Sequence, residues 1–254
     1  MRTTEPPAAA RALAIAAHPD DIESWCGGTL ALMAAAGCEV RLVLVTSGDK
    51  GSDDPAMTPA RIAAAREAEA LAAARLLGLA GVEFLRFPDG EVEDSREPRG
   101  ALAAAIRRWR PEALFTHDPE RPLPRYLAHR DHRVVGRAAL DAVYPLARDR
   151  HAFPEHREAG LEPHRTGQLW LFASAEADAW VDISGGFERK IAARLAHAGQ
   201  TPDPAALPPA WRARAAEIGR PAGLACAEAF TVIGPEDRVH SPGGETPRHA
   251  GCAS

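Results

Sequence analysis

Cysteine is scarce: Cys26, Cys38, Cys226 and Cys252 are the only ones in 254 residues, and no two have CxxC spacing. Their separation argues against a zinc knuckle or a disulfide framework and leaves them as buried or idle thiols. Positive charge is also short, with 30 Lys and Arg against 35 Asp and Glu for a net charge of −5. No basic stripe or tract appears, so a polyanion such as nucleic acid is not expected as a partner. Long apolar runs are missing too. The opening "MRTTEPPAAARALAIAA" carries Glu5 and two prolines and falls far short of a signal-peptide core or a membrane span, which predicts a cytoplasmic chain with no membrane partner. The glycines of "CGG" (Gly27, Gly28) lack GxGxxG spacing, so they are read as sites of close helix packing rather than as a dinucleotide fingerprint. No internal repeat is present.

What remains is an ordinary globular composition, 46% hydrophobic and 26% charged in 27.0 kDa, long enough for one α/β domain. Apolar runs that read as buried strands recur at 12–17, 40–47, 82–87 and 112–117. Between them, Ala- and Leu-rich segments read as helices closing at glycines, and "REPRGALAAAIRRWR" stops before Pro111. This alternation predicts a Rossmann-like, doubly wound, mainly parallel sheet with helices on both faces. The second half is less regular: a helix over about 131–147, strands near "GQLWLFAS" and "AWVDIS", helices over about 185–198 and 209–219, and a late strand "CAEAFTVIG". The domain is placed at 1–234, and the aperiodic, Gly- and Pro-rich 235–254 is expected to be a disordered tail.

Ligands of such sheets gather at the carboxyl ends of the strands. Four polar loops fall there: "HPDD", "TSGDKGSDD", "FPDGEVED" and "THDPERPLPRYLAHRDH". Adjacent carboxylates repel unless something positive lies beside them, and a metal ion is the natural candidate. His18 and an aspartate of the same turn supply two ligands, with Pro19 stiffening the turn and keeping a helix from running through it. "HRDHRVV" supplies a third from His129 or His132. A catalytic zinc takes three such ligands and leaves one position for water. The remaining acid of the turn is then free to take a proton from that water. Spacing alone does not choose between Asp20 and Asp21, nor between His129 and His132.

"AHPDDIESWCGGTLALMAAAG", "VTSGDKGS", "FPDGEV" and "HRDHRVVGRAALDA" together resemble, in sequence and in order, the LmbE-like or PIG-L family of metal-dependent N-deacetylases, over about residues 13–233. The resemblance implies a zinc-dependent hydrolase acting on an N-acetylglucosamine-containing small molecule. It implies one Zn2+ per chain on His18, Asp21 and His132, although the ligand set does not exclude iron or cobalt. Asp20 becomes the general base, and His129 assists at the reacting carbonyl with Asp131 as its orienting neighbour. "LEPHRTGQLWL" is similar to the diacetylchitobiose deacetylase branch and gives His164 a place in the substrate site, and that branch is compatible with a trimer or hexamer. Arg66 is implied to contact sugar, and Asp49, Asp89 and Asp131 to receive hydroxyls. The common HPDDE form is altered here, since Ile22 follows Asp21 and the acid stands at Glu23. His197, in "RLAHAGQ", resembles the histidine of a family segment AxxHxSQ, with Gly199 in the serine's place.

Two rival functions stand beside this one. A metal-dependent phosphoesterase would need a second metal or more basic residues at the rim. A degenerate metal- or sugar-binding module would have no use for an uncoordinated acid beside the ion.

Overall fold

The computed structural model describes residues 2–120 and 128–234. The region expected to be a tail lies outside them, as does the 121–127 stretch of the fourth loop. The strands are β1 (Arg2–Thr3), β2 (Arg11–Ala16), β3 (Glu39–Thr46), β4 (Gly81–Phe87), β5 (Ala113–His117), β6 (Gln168–Phe172), β7 (Ala179–Asp182) and β8 (Ala227–Ile233). They form a single eight-stranded sheet in the order β1-β7-β8-β6-β5-β2-β3-β4. The five strands from β4 to β6 are parallel, and β8 alone runs antiparallel to both of its neighbours. The expected doubly wound, mainly parallel sheet is therefore present, and the strand order reverses between β2 and β5.

After their first residues, β2 and β5 are buried on every side chain, because helices cover both faces. One face carries α1 (Asp21–Trp25), α2 (Gly27–Ala35), α3 (Pro59–Leu77), α7 (Phe187–Leu195) and α8 (Leu207–Gly219) over a core that includes Leu30, Leu44, Phe115, Phe172 and Phe230. The other carries α4 (Arg96–Trp109) and α5 (Arg130–Asp141) over Leu13, Ile15, Leu102, Ile106 and Leu114. The short α6 (Pro154–Glu158) completes the set. α3 starts at an N-cap, where Thr58 accepts from the Arg61 amide, and stops, as expected, at a glycine, Gly78 with φ +82.

The close packing assigned to the paired glycines is present, since a Cβ on Gly28 would lie 2.8 Å from Ile183 side-chain atoms. Three local features differ from expectation. A five-residue helix, α1, begins at Asp21, the last residue of HPDD and two beyond Pro19, with Asp20 at the N-cap position in a left-handed conformation. The helix expected over 131–147 ends at Asp141, and a wider π-type turn follows over 142–146, where Tyr144 is extended and Pro145 lacks an amide hydrogen. β1 and α6 are too short for a periodic signal.

Candidate metal centre and active-site cleft

The switch point between β2 and β5 delivers the first and fourth loops to one place. His18 follows β2, Asp21 opens α1, and His132 lies in the first turn of α5. His18 Nδ1 is 3.2 Å from His132 Nε2, His132 Nε2 is 3.0 Å from Asp21 Oδ1, and His18 Nδ1 is 3.6 Å from Asp21 Oδ2. Ligand atoms bound tetrahedrally at zinc distances stand about 3.3 Å apart. The three donors fit that triangle, and their chemistry, two imidazoles and one carboxylate, fits the ion.

The electrostatics also call for a cation. Burial would lower the His18 pKa, but the carboxylates of Asp131, Asp21 and Asp89 overcome it and raise it to about 11. Burial would likewise raise Asp21, and the His132 and His117 rings hold it well below the ordinary carboxylate range.

The partners behind the ligands fix their orientation. His18 Nε2 faces Asp89 Oδ1 at 3.0 Å and Asp131 Oδ2 at 3.4 Å, so Nε2 keeps its proton there, and Nδ1 is the nitrogen that would give up its proton to a bound ion. Asp131 is fully buried, and its Oδ2 also accepts from the Gly90 amide at 2.6 Å. Asp21 Oδ2 accepts from the His18 amide at 2.8 Å. His117, the last residue of β5, lies 3.2 Å from that same oxygen and stacks on His132 with ring centroids 4.3 Å apart. Burial depresses the His117 pKa to about 4 against the pull of Asp21, and its Nε2 also lies 3.2 Å from the Ala17 amide.

Asp20 is the carboxylate outside the triangle. Its backbone is left-handed, with φ +92, a conformation Asp tolerates better than most residues and one that clusters at functional sites. Oδ1 is 3.3 Å from an Arg66 terminal nitrogen, and Oδ2 is 3.5 Å from one of Arg194. Burial and the neighbouring Asp21 charge raise its pKa to about 6, against the pull of the two arginines and His197. His129, the N-cap of α5, accepts from the Asp131 amide on Nδ1 at 3.2 Å. A neutral ring that accepts there carries its proton on Nε2. An open cleft of about 710 Å3 exposes this set, lined by His18, Asp20, Asp21, His129 and His132, with Trp25, Lys50, Gln200 and Arg214 further out.

Residues 13–143 match the family described as PIG-L, GlcNAc-PI de-N-acetylase. The chain belongs to the PIG-L family. It is 31% identical over 193 residues to the diacetylchitobiose deacetylase of Thermococcus kodakarensis, covering 76% of this chain and 71% of that one. It is also 31% identical over 201 residues to the 4-oxalmesaconate hydratase of Pseudomonas putida, covering 74% and 73%. Among solved structures, the N,N'-diacetylchitobiose deacetylase of Pyrococcus horikoshii, complexed with its inhibitor MPG, superposes with a TM-score of 0.83 at 30% identity, over 89% of this chain and 85% of that one.

Within this PIG-L chain, the residues singled out from sequence fall into three groups. His18, Asp20, Asp21, His129, Asp131 and His132 meet at the centre. Asp89 and Arg66 reach it but face inward. Asp89 backs His18, and the Arg66 guanidinium donates to Pro19 O at 2.7 Å and Gly48 O at 3.1 Å, holding the HPDD turn. Gly48, at φ +65, leaves the room, since a Cβ there would lie 2.1 Å from an Arg66 nitrogen. Asp49 and His164 do not line the cleft. Asp49 Oδ1 accepts from the Asp89 amide at 2.9 Å and borders a separate groove. His164 Nε2 contacts Pro111 O at 2.8 Å, ahead of β5, and so lies at the amino-terminal edge of the sheet, opposite the site.

His117, beside Asp21 and His132, and Arg194, beside Asp20, were passed over by sequence reasoning. His117 had a signal, a polar residue ending an apolar strand at the rim. Glu23 and His197 form a fully buried pair at 3.5 Å that ties α1 to the end of α7. Among the described residues, no helix is long and apolar enough to cross a membrane.

Proposed function

We propose that the chain is a metal-dependent N-deacetylase that hydrolyses the acetamide of an N-acetylglucosamine-containing small molecule, with Zn2+ on His18, Asp21 and His132. The observation that carries this reading is the Asp20 carboxylate, outside that ligand triangle and lining the same open cleft. The family match and the two deacetylase relatives support it.

A bound divalent ion would polarise the amide carbonyl and acidify the attacking water. The chain's residues do the rest. Asp20 accepts the proton as the water oxygen bonds to the carbonyl carbon. His129, with its proton on Nε2, donates toward the carbonyl oxygen as negative charge grows there. The proton held by Asp20 then passes to the nitrogen as the C–N bond breaks, giving a free amine and acetate. Asp89 and Asp131 keep the His18 ring from turning throughout.

A second reading, hydration of a carbon–carbon double bond, rests on the hydratase relative at 31% identity. The phosphoesterase alternative has less support, because Lys50 and Arg66 in the cleft are already engaged with Asp89 O, Glu91 and Asp20. Acetate release from N-acetylglucosamine and diacetylchitobiose, run beside loss of absorbance from a conjugated unsaturated acid and phosphate release from esters, separates the three. Asp20→Asn is expected to keep the metal and lose about 10²–10⁴-fold in turnover, the usual contribution of a general base. His18→Ala or His132→Ala should instead lose the metal. Full activity in Asp20→Asn would remove the assigned base.

A further inference from the structure

Two carboxylates one residue apart stand beside a single cation position, yet only one belongs to the ligand triangle. An unrestrained Asp20 would be drawn to the same ion, and a carboxylate there would fill the position that solvent needs. Two arginines from opposite sides hold it. Arg66, from α3, reaches Oδ1 and is fixed by the Pro19 and Gly48 carbonyls. Arg194, from the last turn of α7, reaches Oδ2 at 3.5 Å.

The Arg194 guanidinium is itself aimed. One terminal nitrogen donates to Thr201 Oγ1 at 2.7 Å, and the other, which faces Asp20, donates to Gln200 O at 2.7 Å. Thr201 Oγ1 in turn donates to His197 O at 2.8 Å. Arg194 is buried, and its guanidinium carbon lies over the Trp211 ring, 5.8 Å from the centroid. One arginine fixes one oxygen and leaves the carboxylate free to swing about it. Two arginines on different oxygens fix its plane.

We propose that Arg194 is a positioning residue that holds Asp20 out of the metal's coordination shell, so that the carboxylate stays on the solvent side as a proton acceptor. The proposal rests on the N-deacetylase reading given above. Arg194 touches neither the ion position nor the reacting atoms, and it acts only through Asp20.

The test uses the full chain loaded with cobalt and compares wild type, Arg194→Met, Arg194→Lys, Thr201→Val and Asp20→Asn. Arg194→Met keeps the apolar stem and removes the fork. Its kcat for acetate release should fall by about ten- to a hundredfold while KM moves less than about twofold, a loss confined to the chemical step. The visible cobalt bands should change as Asp20 enters the shell, and the affinity for acetohydroxamate, a small metal-binding probe, should fall by about tenfold or more. Arg194→Lys, which restores the charge, should recover part of each loss. Thr201→Val removes an anchor but not the charge, and should move kcat and the cobalt bands in the same direction by less.

A folded Arg194→Met variant with wild-type kcat overturns the proposal. So does a reduced kcat with unchanged cobalt bands and probe affinity. If Arg194→Met does not melt cooperatively, wild-type behaviour in Thr201→Val overturns it instead. Retained turnover in Asp20→Asn would overturn the reading of the base, whereas its loss alongside an unaffected Arg194→Met overturns this inference alone.

Discussion

Glu228→Gln is the perturbation whose cost the structure specifies most fully. Glu228 sits on β8 with 1% of its surface exposed, and its carboxylate accepts four hydrogen bonds. Oε1 accepts from the Gly28 amide at 2.9 Å and from Lys190 Nζ at 2.6 Å. Oε2 accepts from the Thr29 amide at 2.8 Å and the Thr29 hydroxyl at 2.7 Å. The carboxylate therefore caps the amino end of α2, where negative charge is favoured, and neutralises a buried ammonium from α7. Glutamine keeps the shape but turns an NH2 toward donors at one oxygen position and leaves Lys190 without its counter-charge. Stranding one member of a buried ion pair costs about 3–5 kcal/mol. For a chain of this size that lowers the melting temperature by roughly 10 °C. Urea unfolding of the metal-free protein, followed by fluorescence and circular dichroism, measures it. The double variant Glu228→Gln/Lys190→Met should recover a large part of the loss, because no charge is then stranded. A single-variant cost below about 1 kcal/mol, the range of exposed pairs, would refute the account.

Three further outcomes follow from the site. His117→Phe keeps the ring beside His132 and Phe172 but removes the contact to Asp21 Oδ2, and chelator competition should show metal affinity about 10–100-fold weaker. An unchanged affinity would leave His117 a packing residue. Gly136→Ala places a Cβ 2.6 Å from His117 O, pushing α5 and its His132 off β5, and should destabilise by about 1–3 kcal/mol in denaturant titrations. A neutral result would mean that α5 shifts freely. Stripping the metal should abolish acetate release and lower the melting temperature, and refilling at a hundredfold over Kd should return about 2.7 kcal/mol; an unmoved melting temperature would argue against an ion bound only by the folded site.

The half of the sheet that builds the cleft was legible because its strands are local and buried on both faces. Runs such as 12–17 and 112–117 announce themselves without reference to any partner, and the loops that follow them must emerge at one rim. The insertion of β8 between β6 and β7 was not legible, since strand pairing across a long separation leaves no mark in either segment. The HPDD and HRDH motifs marked His18, both aspartates and both histidines as candidates by their own chemistry, and the choice of Asp21 and His132 among them came from the family resemblance. His117 and Arg194 were passed over for the opposite reason: a lone histidine ending an apolar strand and an arginine in an amphipathic helix look the same whether they pack or work. His164 was placed at the site by resemblance alone, and no spacing could have shown that its loop returns to the far edge of the sheet.

The position of β8 also decides which part of the chain can stand without the rest. Every ligand of the triangle is in place by residue 132, but β7 and β1 join the remainder of the sheet only through β8. A truncation ahead of residue 227 would keep the three candidate ligands but remove Glu228, and with it the cap on α2 and the counter-charge of Lys190. The candidate ligands stand in the first half of the polypeptide, whereas α7, which carries Arg194, is tied through Lys190 to Glu228 on β8, the last of the described strands.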